Sequence, residues 1–469
     1  MAETPLNLAQ LDSAYSELRR KLGSRFLTSS EGCAPYQSDD TGWLGCATGV
    51  VLAESASDIQ TTLQVCAAHR VPVTSRAGGT GRTGGAVPVL GGVVLATHAM
   101  NQIVDFDRNE GTIVVEPGVV LNDLWRTVEA EGWFYPPDPN SSDSCCLAGN
   151  LAENAAGPRA LKYGPTRDYV LGVETFLAGG EHFFSGRRTK KGVTGYDTTS
   201  TLVGSEGTLA AFGNITLRLI PRPEGVMTLL ALFESVTAAA NAVDAIIKAR
   251  LLPRCIEFLD ELTLSIMRDA GNAIPEAANA LLLLEVDGDE SSCLRQAERL
   301  GELCEQVGTL SLVVAQSENQ RAQLWAARKQ MSHAVRKFAR YKISEDVVVP
   351  RRQLLALIDQ VRKSRDSYQI AALCYGHAGD GNLHVNFLWD HEEEKMRVDC
   401  AVRDLFQNTV ALGGTLSGEH GIGITKAPYL PLEQTPQHIA LQRRLKAAFD
   451  PLGIMNPGKI FPRSGHGAC

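Results

Sequence analysis

The sequence predicts an α+β protein of two or three domains. Its 469 residues exceed what a single hydrophobic core usually organises. From about Gly49 a strand, a helix and a second strand follow one another. Beyond Pro221-Arg-Pro223 the pattern changes to two successive strand–helix–strand units. Two such units predict an antiparallel sheet with helices on one face, ferredoxin-like in type.

The elements of the first half are short and are separated by glycine-rich stretches. Residues 8–32 predict an amphipathic helix and a polar loop. Strands are predicted at residues 50–52 and 71–74, with a helix between them that begins at a capping box, residues 57–60. Further strands are expected at 92–95 and 111–115, and a helix near 121–131.

The second half repeats its pattern. One predicted unit consists of strands at 229–233 and 254–259 around a helix, and the next of strands at 281–286 and 310–315 around a helix at 291–307. A long helix over 318–340 follows, which places Arg328 and Ser332 one turn apart on one face. A strand at 342–349, a helix at 352–362 and an amphipathic helix around 439–449 complete the prediction.

Composition excludes several functional classes. The net charge of −8 gives no reason to expect a nucleic-acid partner. No apolar run approaches the ~18 residues of a membrane span, and the N-terminus lacks the pattern of a signal peptide. The 11 cysteines include no Cys-x-x-Cys spacing, which favours reduced thiols in the cytoplasm over disulfides or an iron–sulfur cluster.

Residues 375–386 and 417–421 form the most informative pair of motifs. They contain His377, His384 and Glu419 among glycines. Two imidazoles and one carboxylate suit zinc as first choice, with manganese, iron or cobalt as alternatives, and three protein ligands leave coordination positions open for catalysis. His384 and Asn386 are two apart, so they face the same side of a strand. The alternative is a glycine-rich turn with two hydrogen-bonded histidines.

A second glycine-rich stretch, residues 76–85, follows a predicted strand. It contains a G-x-G-x-x-G pattern at Gly79, Gly81 and Gly84. A dinucleotide fold would need a helix to begin at the last glycine, but proline and further glycines follow instead. We therefore expect a loop whose backbone N–H groups bind a pyrophosphate. The small residues of 143–157 let backbone approach a flat ring closely.

Together these motifs resemble the vanillyl-alcohol oxidase flavoprotein family. Within it they are most similar to the FAD-linked D-2-hydroxy-acid dehydrogenases, which include D-lactate dehydrogenase, the flavin subunit of glycolate oxidase and D-2-hydroxyglutarate dehydrogenase. The resemblance runs from about residue 40 to 461. It implies an N-terminal helical segment (1–42), a two-subdomain FAD-binding domain (43–221), a substrate- and metal-binding cap with the ferredoxin-like sheet (222–415) and a C-terminal segment returning to the flavin (416–469).

The resemblance also implies site residues, which fall into groups along the cofactor. Those assigned to FAD are Arg76, Ala77, Gly78, Gly79, Thr80, Gly81, Arg82, Thr83, Gly84 and Gly85 at the pyrophosphate; Pro137, Asp138, Ser141, Gly149, Asn150, Asn154 and Gly157 along the ribityl chain and ring; Glu206, Gly207 and Ile215 near the adenine; and Asn456 and Lys459 at the C-terminus. The metal ligands correspond to His377, His384 and Glu419, the carboxylate contacts to Arg328 and Asn386 with Ser332 beside them, and the catalytic base to His420.

Two departures from the family pattern shape the expected chemistry. Residues 76–85 contain no histidine, so FAD is expected to be non-covalent. Where D-2-hydroxyglutarate dehydrogenases place a lysine for the distal carboxylate, Ser344 stands here, and Lys342 lies two residues earlier on the same strand face. We therefore expect D-lactate first and glycolate next, with D-2-hydroxyglutarate as the alternative. For His420 the alternative role is a fourth metal ligand.

The expected partners follow from the same resemblance. Electrons would pass to an external acceptor: a quinone, a cytochrome, an electron-transfer flavoprotein or an iron–sulfur subunit. The protein is expected in the cytoplasm, reaching the membrane only peripherally through that acceptor, and a homodimer is compatible with the sequence. Two rival classes stay open: a non-haem iron oxygenase with His377, His384 and Glu419 as its facial triad, and a non-catalytic electron-transfer or scaffolding subunit.

Overall fold

The computed structural model describes residues 8–461, and the first part of the chain forms three small sheets. Its strands are β1 (Phe26–Leu27), β2 (Gly49–Leu52), β3 (Val73–Arg76), β4 (Val93–Ala96), β5 (Ile103–Asp107), β6 (Thr112–Val115), β7 (Trp133–Phe134), β8 (Val170–Phe176), β9 (His182–Gly186), β10 (Ala211–Arg218) and β11 (Ile220–Pro221). Its helices are α1 (Leu8–Leu22), α2 (Ser30–Cys33), α3 (Ala56–His69), α4 (Leu121–Glu129), α5 (Leu147–Glu153), α6 (Ala160–Tyr163) and α7 (Thr198–Leu202).

The first sheet has the order β1-β2-β4-β3, and its last three strands are parallel. α3 connects β2 to β3, as the strand–helix–strand pattern predicts. The predicted capping box at residues 57–60 is wrong by two positions. The N-cap is Ser55, whose side chain accepts the backbone N–H of Asp58, because Ser55 is the residue that has extended backbone before the first helical turn.

The second sheet, β5-β6-β10-β8-β9, is antiparallel, with β9 at one edge. α4 and α5 pack against it through a common core that includes Leu124, Leu151 and Ile215. The first sheet has its own core, which α1 and α3 cover. Two separately packed sheets in this half agree with the two-subdomain architecture of the expected FAD-binding domain.

The later part of the chain forms one large sheet with surrounding helices. Its strands are β12 (Gly225–Phe233), β13 (Cys255–Leu259), β14 (Ala280–Gly288), β15 (Thr309–Val314), β16 (Tyr341–Val348), β17 (Ala371–His377) and β18 (Asn382–Trp389). Its helices are α8 (Val236–Lys248), α9 (Glu261–Asp269), α10 (Glu290–Gln306), α11 (Glu318–Phe338), α12 (Leu354–Tyr368), α13 (Lys395–Ala411), α14 (Leu430–Glu433) and α15 (Pro436–Phe449).

This sheet has seven strands in the order β15-β12-β14-β13-β17-β18-β16, all antiparallel. The two strand–helix–strand units supply β12, β13, β14 and β15, which lie in the order β15-β12-β14-β13. Numbered along the chain, the fourth strand therefore lies beside the first, and the third lies between the first and the second. This order confirms the ferredoxin-like prediction. The remaining three strands extend that sheet. They bring the motif at residues 375–386 next to β13.

The helices differ from the prediction in one respect, because they cover both faces of the large sheet. α8 and α10 pack on one face, where Leu282 and Leu284 of β14 point. Leu281 and Leu283 point to the other face and meet α9 and α11 there. The reason lies in the sequence of β14, which begins with five consecutive apolar residues, Ala280 to Leu284, instead of alternating apolar and polar ones. Because successive side chains point to opposite faces, both faces of this strand are apolar and must be covered by helices.

The C-terminal segment returns to the first sheet. The backbone N–H of Asn456 donates to the carbonyl of Val73 at 2.7 Å, and Met455 is buried in the core beneath β3. Glu206 accepts the backbone N–H groups of Ile422 and Gly423 at 2.8 and 2.7 Å. These contacts fix the loop that carries Glu419 against the glycine-rich half of the protein.

Candidate active site

The glycine-rich loop begins where β3 ends, at Arg76. No helix opens behind its last glycine, since the next helix, α4, starts at Leu121, and the expectation of a loop is confirmed. The loop lies directly on the run of small residues: a Cβ at Gly78 would come within 2.6 Å of the carbonyl oxygen of Ser144. Only glycine permits this approach.

One cavity of about 390 Å³ joins the glycine-rich loop to the large sheet. Of the residues predicted for the site it is lined by Arg76, Ala77, Gly78, Gly79, Thr80, Gly81, Arg82, Gly85, Asp138, Ser141, Gly149, Asn150, Glu206, Gly207, Arg328, Ser332, His377, His384, Glu419 and His420. Predicted residues outside that lining are Thr83, Gly84, Pro137, Asn154, Gly157, Ile215, Lys342, Asn386, Asn456 and Lys459.

Several residues outside the lining hold its wall in place. Asn154 ends α5 in a left-handed conformation, and its side-chain oxygen accepts the N–H of Arg167 at 2.9 Å. Ile215 lies on β10, and its side chain is buried in the core of the second sheet. Asn456 donates to the carbonyls of Gly85 and Glu206 at 2.8 and 2.7 Å, so it braces the glycine-rich loop from behind.

The cavity wall fits a large polar cofactor. Asn150 Nδ2 and Glu153 Oε2 are buried and have no hydrogen-bond partner among the described residues. Both residues face the cavity. Buried polar atoms without partners are costly, so a bound molecule that hydrogen-bonds to them would be favoured. Burial raises the pKa of Glu153, and the neighbouring Glu206 raises it further.

The three predicted metal ligands meet on the large-sheet side of the cavity. His377 ends β17, His384 lies on β18, and Glu419 lies on the loop before Gly421. Nε2 of each histidine is 3.5 Å from Glu419 Oε1, and the donor atoms of the three residues all lie within 4.8 Å of one another. Glu419 Oε2 is buried without a hydrogen-bond partner. This two-nitrogen, one-oxygen set fits a divalent cation.

Asp346, on β16, organises this side of the cavity, and the sequence reasoning missed it. Its Oδ2 accepts the backbone N–H groups of Gly418, Glu419 and His420 at 2.8, 2.9 and 3.0 Å, and Ser417 Oγ donates to the same atom at 3.0 Å. Burial alone would raise the pKa of Asp346, but His420 and the other charges and donors around it outweigh burial and lower it strongly. Because Asp346 Oδ2 accepts four hydrogen bonds from residues 417–420, it fixes the conformation of the loop that carries Glu419 and His420. The available signal was the pair of adjacent acids, Glu345 and Asp346, in the predicted strand over 342–349.

Glu257, on β13, is the second residue that the sequence reasoning missed. It is fully buried and accepts Nε and Nη2 of Arg328 at 2.9 and 2.7 Å, while its Oε1 lies 2.5 Å from His377 Nδ1. One carboxylate thus joins the predicted substrate arginine to a predicted metal ligand. A partner of this kind fixes the ring orientation of a metal-binding histidine. A lone glutamate in the apolar strand Cys255–Leu259 was the signal.

His420 lies between Asp346 and the metal-ligand cluster. Its Nδ1 is 4.0 Å from Asp346 Oδ2, and its Nε2 is 3.9 Å from Glu419 Oε1. The ring stacks on that of His384 with 5.2 Å between centroids. Burial lowers the pKa of His420 below its usual value. The side chain therefore favours the neutral form, which can accept a proton.

The predicted substrate residues surround Tyr375. The guanidinium of Arg328 lies over its ring at 5.2 Å, and its hydroxyl is 3.5 Å from Asn386 Oδ1. Lys342 contacts the same phenol but lines a neighbouring cavity, together with Ser344. Asn386 donates to the carbonyl of His384 at 3.1 Å. Arg328 and Ser332 thus face the first cavity, with Lys342 behind Tyr375.

Comparison with known proteins identifies the class. Residues 222–460 match the C-terminal domain of FAD linked oxidases, and residues 47–184 match an FAD binding domain. The chain therefore belongs to the FAD-linked oxidase family, it is an FAD-binding oxidoreductase, and the family resemblance drawn from its motifs is confirmed. In the described residues no helix is both long and apolar enough to cross a bilayer.

Individual relatives are more specific. The chain is 41% identical to glycolate oxidase subunit GlcD of Bacillus subtilis, over 88% of this chain and 89% of that protein. It is 31% identical to D-lactate dehydrogenase of Anaerostipes hadrus, over 93% of this chain and 94% of that protein. Among solved structures, p-cresol methylhydroxylase shares the fold with a TM-score of 0.79 at 17% identity, over 97% of both chains. 4-Ethylphenol oxidase from Gulosibacter chungangensis has a TM-score of 0.78, also at 17% identity, over 98% of both chains.

Proposed function

We propose that this protein oxidises a short D-2-hydroxy acid to the corresponding 2-keto acid, with non-covalent FAD and a divalent cation held by His377, His384 and Glu419. D-Lactate is the first-choice substrate and glycolate the next. The observation that carries the proposal is the buried Glu257, which joins Arg328 to His377 at the cavity that the glycine-rich loop also lines. The names of the relatives, glycolate oxidase subunit and D-lactate dehydrogenase, agree with it.

Arg328 binds and orients the substrate in this proposal. Glu257 occupies Nε and one side of Nη2, which leaves the edge formed by Nη1 and Nη2 for a substrate carboxylate. Since Glu257 holds the guanidinium rigidly, little side-chain entropy is lost when the acid binds. Attachment at Arg328 and at the cluster around Glu419, with the bound flavin as the third point, presents one face of the substrate carbon, so one enantiomer reacts. The family resemblance implies that this is the D-enantiomer.

His420 removes the hydroxyl proton at Nε2. Its other nitrogen, Nδ1, faces Asp346, so the carboxylate of Asp346 favours the imidazolium that forms. Bound FAD supplies the hydride acceptor, and a bound divalent cation supplies a Lewis acid that acidifies the substrate hydroxyl. The alternative role of His420, as a fourth ligand, is distinguished by metal content in a His420→Ala variant.

The pocket favours a monocarboxylate. Lys342 lies behind Tyr375 and lines the neighbouring cavity, and Ser344 stands where a cation for a distal carboxylate is expected. A second carboxylate that reaches towards Ser344 would find no cation at that position, and burial of an unpaired charge is costly. If the side chain of Tyr375 moved so that Lys342 reached the first cavity, Lys342 would pair with the second carboxylate of D-2-hydroxyglutarate. That acid is therefore the alternative substrate.

The reduced cofactor must pass its electrons onward. We propose an external acceptor of the quinone, cytochrome, electron-transfer flavoprotein or iron–sulfur class, because the sequence has no Cys-x-x-Cys spacing for a cluster of its own. A cytoplasmic protein that meets this acceptor at the membrane periphery, as a monomer or a homodimer, agrees with the proposal.

The test is anaerobic bleaching of the flavin by a panel of D- and L-2-hydroxy acids, followed by kcat/KM for D-lactate and D-2-hydroxyglutarate with one dye acceptor. D-Lactate should bleach the flavin and give the larger kcat/KM. A preference of roughly tenfold for D-2-hydroxyglutarate, or about 1.4 kcal/mol, would overturn the substrate assignment. Bound FAD that no 2-hydroxy acid reduces would support the electron-transfer or scaffolding subunit. Turnover that requires 2-oxoglutarate, in protein without flavin, would support the iron oxygenase.

A further inference from the structure

The strand β9 and the loop after it form a surface that the proposed reaction does not use. Four large apolar side chains are exposed within this short segment: Phe183 at 37%, Phe184 at 46%, Val193 at 99% and Tyr196 at 98%. All residues from 188 to 197 are exposed. Phe183 and Phe184 are consecutive on β9, so their side chains point to opposite faces of the strand. Val193 and Tyr196 lie in the loop and are almost completely exposed, and two such side chains in one short loop mark it as an interaction site.

The same segment is strongly basic. Residues 187–191 contain Arg187, Arg188, Lys190 and Lys191, and no acid occurs from 182 to 196. The first acid after this stretch is Asp197, which is the N-cap of α7. Its carboxylate accepts the backbone N–H of Ser200 at 2.9 Å. In a chain with a net charge of −8, this local excess of positive charge is the reverse of the overall balance. This charge favours an anionic partner.

We propose that residues 183–196, the basic loop with its supporting strand, dock on the surface of an anionic lipid bilayer. Arginine and lysine attract anionic headgroups. Valine and tyrosine side chains at the tip can enter the interfacial region, where tyrosine is favoured because its ring is apolar and its hydroxyl is polar. Attraction and insertion together provide the two contributions that stable peripheral binding requires.

Two other occupants fit the surface less well. A second copy of this chain, related by a two-fold axis, would bring the same four cations of both copies together, and like charges repel. An acidic protein would satisfy the charges but requires a complementary surface around the apolar anchors. Val193 and Tyr196 are almost completely exposed, so within residues 8–461 no neighbouring side chains frame a pocket around them.

The surface is connected to the cavity through the chain itself. The basic loop leads into α7 (Thr198–Leu202), and Glu206, four residues after that helix, lines the cavity. Docking through this loop would therefore anchor the half of the protein that binds FAD. The inference concerns lipid binding alone, so it stands or fails independently of the proposed substrate.

The test is cosedimentation of the intact FAD-loaded protein with phosphatidylcholine vesicles made with and without phosphatidylglycerol. Binding is expected only to the vesicles with phosphatidylglycerol and should weaken as salt is added. Each lysine near an anionic surface contributes about fivefold in partitioning, equivalent to about 1 kcal/mol, so Lys190→Gln with Lys191→Gln should lower binding by about 30-fold. The matched control, Lys248→Gln with Lys363→Gln, removes two exposed lysines elsewhere and should change binding by about twofold or less.

A separate variant tests insertion. Val193→Ser with Tyr196→Ser keeps every charge, and it should lower vesicle binding several-fold while leaving binding to polyglutamate beads unchanged. Absence of binding to the phosphatidylglycerol vesicles would overturn the proposal, as would equal losses in the basic-loop and control variants. Retention on polyglutamate beads combined with no vesicle binding would identify an acidic protein as the partner instead. Unaltered thermal midpoints confirm that these exposed substitutions leave the fold intact.

Discussion

Replacement of Glu257 by glutamine is predicted to loosen both the substrate arginine and a metal ligand. The change keeps the shape of the side chain but removes its charge, so Arg328 loses its charged partner while 11% of its side chain is exposed. His377 Nδ1 loses the same partner. Arg328 is then held in a buried place without the carboxylate that compensates its charge, and His377 loses the acceptor that fixes the orientation of its ring.

The magnitude of this loss follows from two considerations. Removal of one partner from a buried ion pair usually costs about 3–5 kcal/mol. Burial alone would raise the pKa of Glu257, but His377 and Arg328 outweigh it and lower the pKa from 4.5 to about 2. Such a shift corresponds to about 3 kcal/mol. This contribution is complete above pH 4.5, where the unfolded side chain is also ionised, and it is lost as the pH falls through about 2.

The assay combines stability, metal content and kinetics at neutral pH. We expect the thermal midpoint of Glu257→Gln to fall by roughly 6–12 °C if the large-sheet domain unfolds as a unit. Metal affinity should fall by about 10–100-fold, and KM for D-lactate should rise. Asp260→Asn serves as the control, because Asp260 is also buried, directly after β13 where it caps α9, but its side chain bonds only Thr263 and the N–H of Cys374. That variant should be less stable and retain its metal; normal stability, metal content and KM in Glu257→Gln would refute the reasoning.

Three further predictions concern the cofactor, the metal and the base. Acid precipitation should release all FAD, because residues 76–85 contain no histidine for a covalent link; flavin that stays with the polypeptide would contradict this. A strong chelator should abolish activity while the flavin absorbance remains, and His384→Ala should behave the same way, since the expected metal ligands (residues 377–419) and the glycine-rich loop (residues 76–85) belong to different parts of the chain. Full activity in metal-free protein is the opposing result. His420→Ala should keep both FAD and metal but slow flavin reduction by about 10²–10⁴-fold, as measured by stopped-flow absorbance. Loss of metal in that variant would make His420 a ligand.

The sequence by itself determined the elements whose signals are local. The two strand–helix–strand units follow from periodicity and predict the ferredoxin-like order, because each helix and strand must bury its own apolar face. The loop at residues 76–85 follows from glycines and a proline that no helix accommodates. His377, His384 and Glu419 stood out because their chemistry and glycine neighbours are visible in the sequence. Their convergence required only one turn between two strands and one further loop.

The tertiary structure alone decided which distant charges meet. Glu257 lies 71 residues from Arg328 and 120 from His377, and the pairing of β13 with β17 sets Glu257 opposite His377. Asp346 reaches Glu419 and His420 because β16 pairs with β18 at the sheet edge. Local patterns did not show where β16, β17 and β18 join the large sheet. A buried carboxylate is tolerated only where that order supplies donors and cations to satisfy it, so the sequence could mark these acids as unusual without naming their partners.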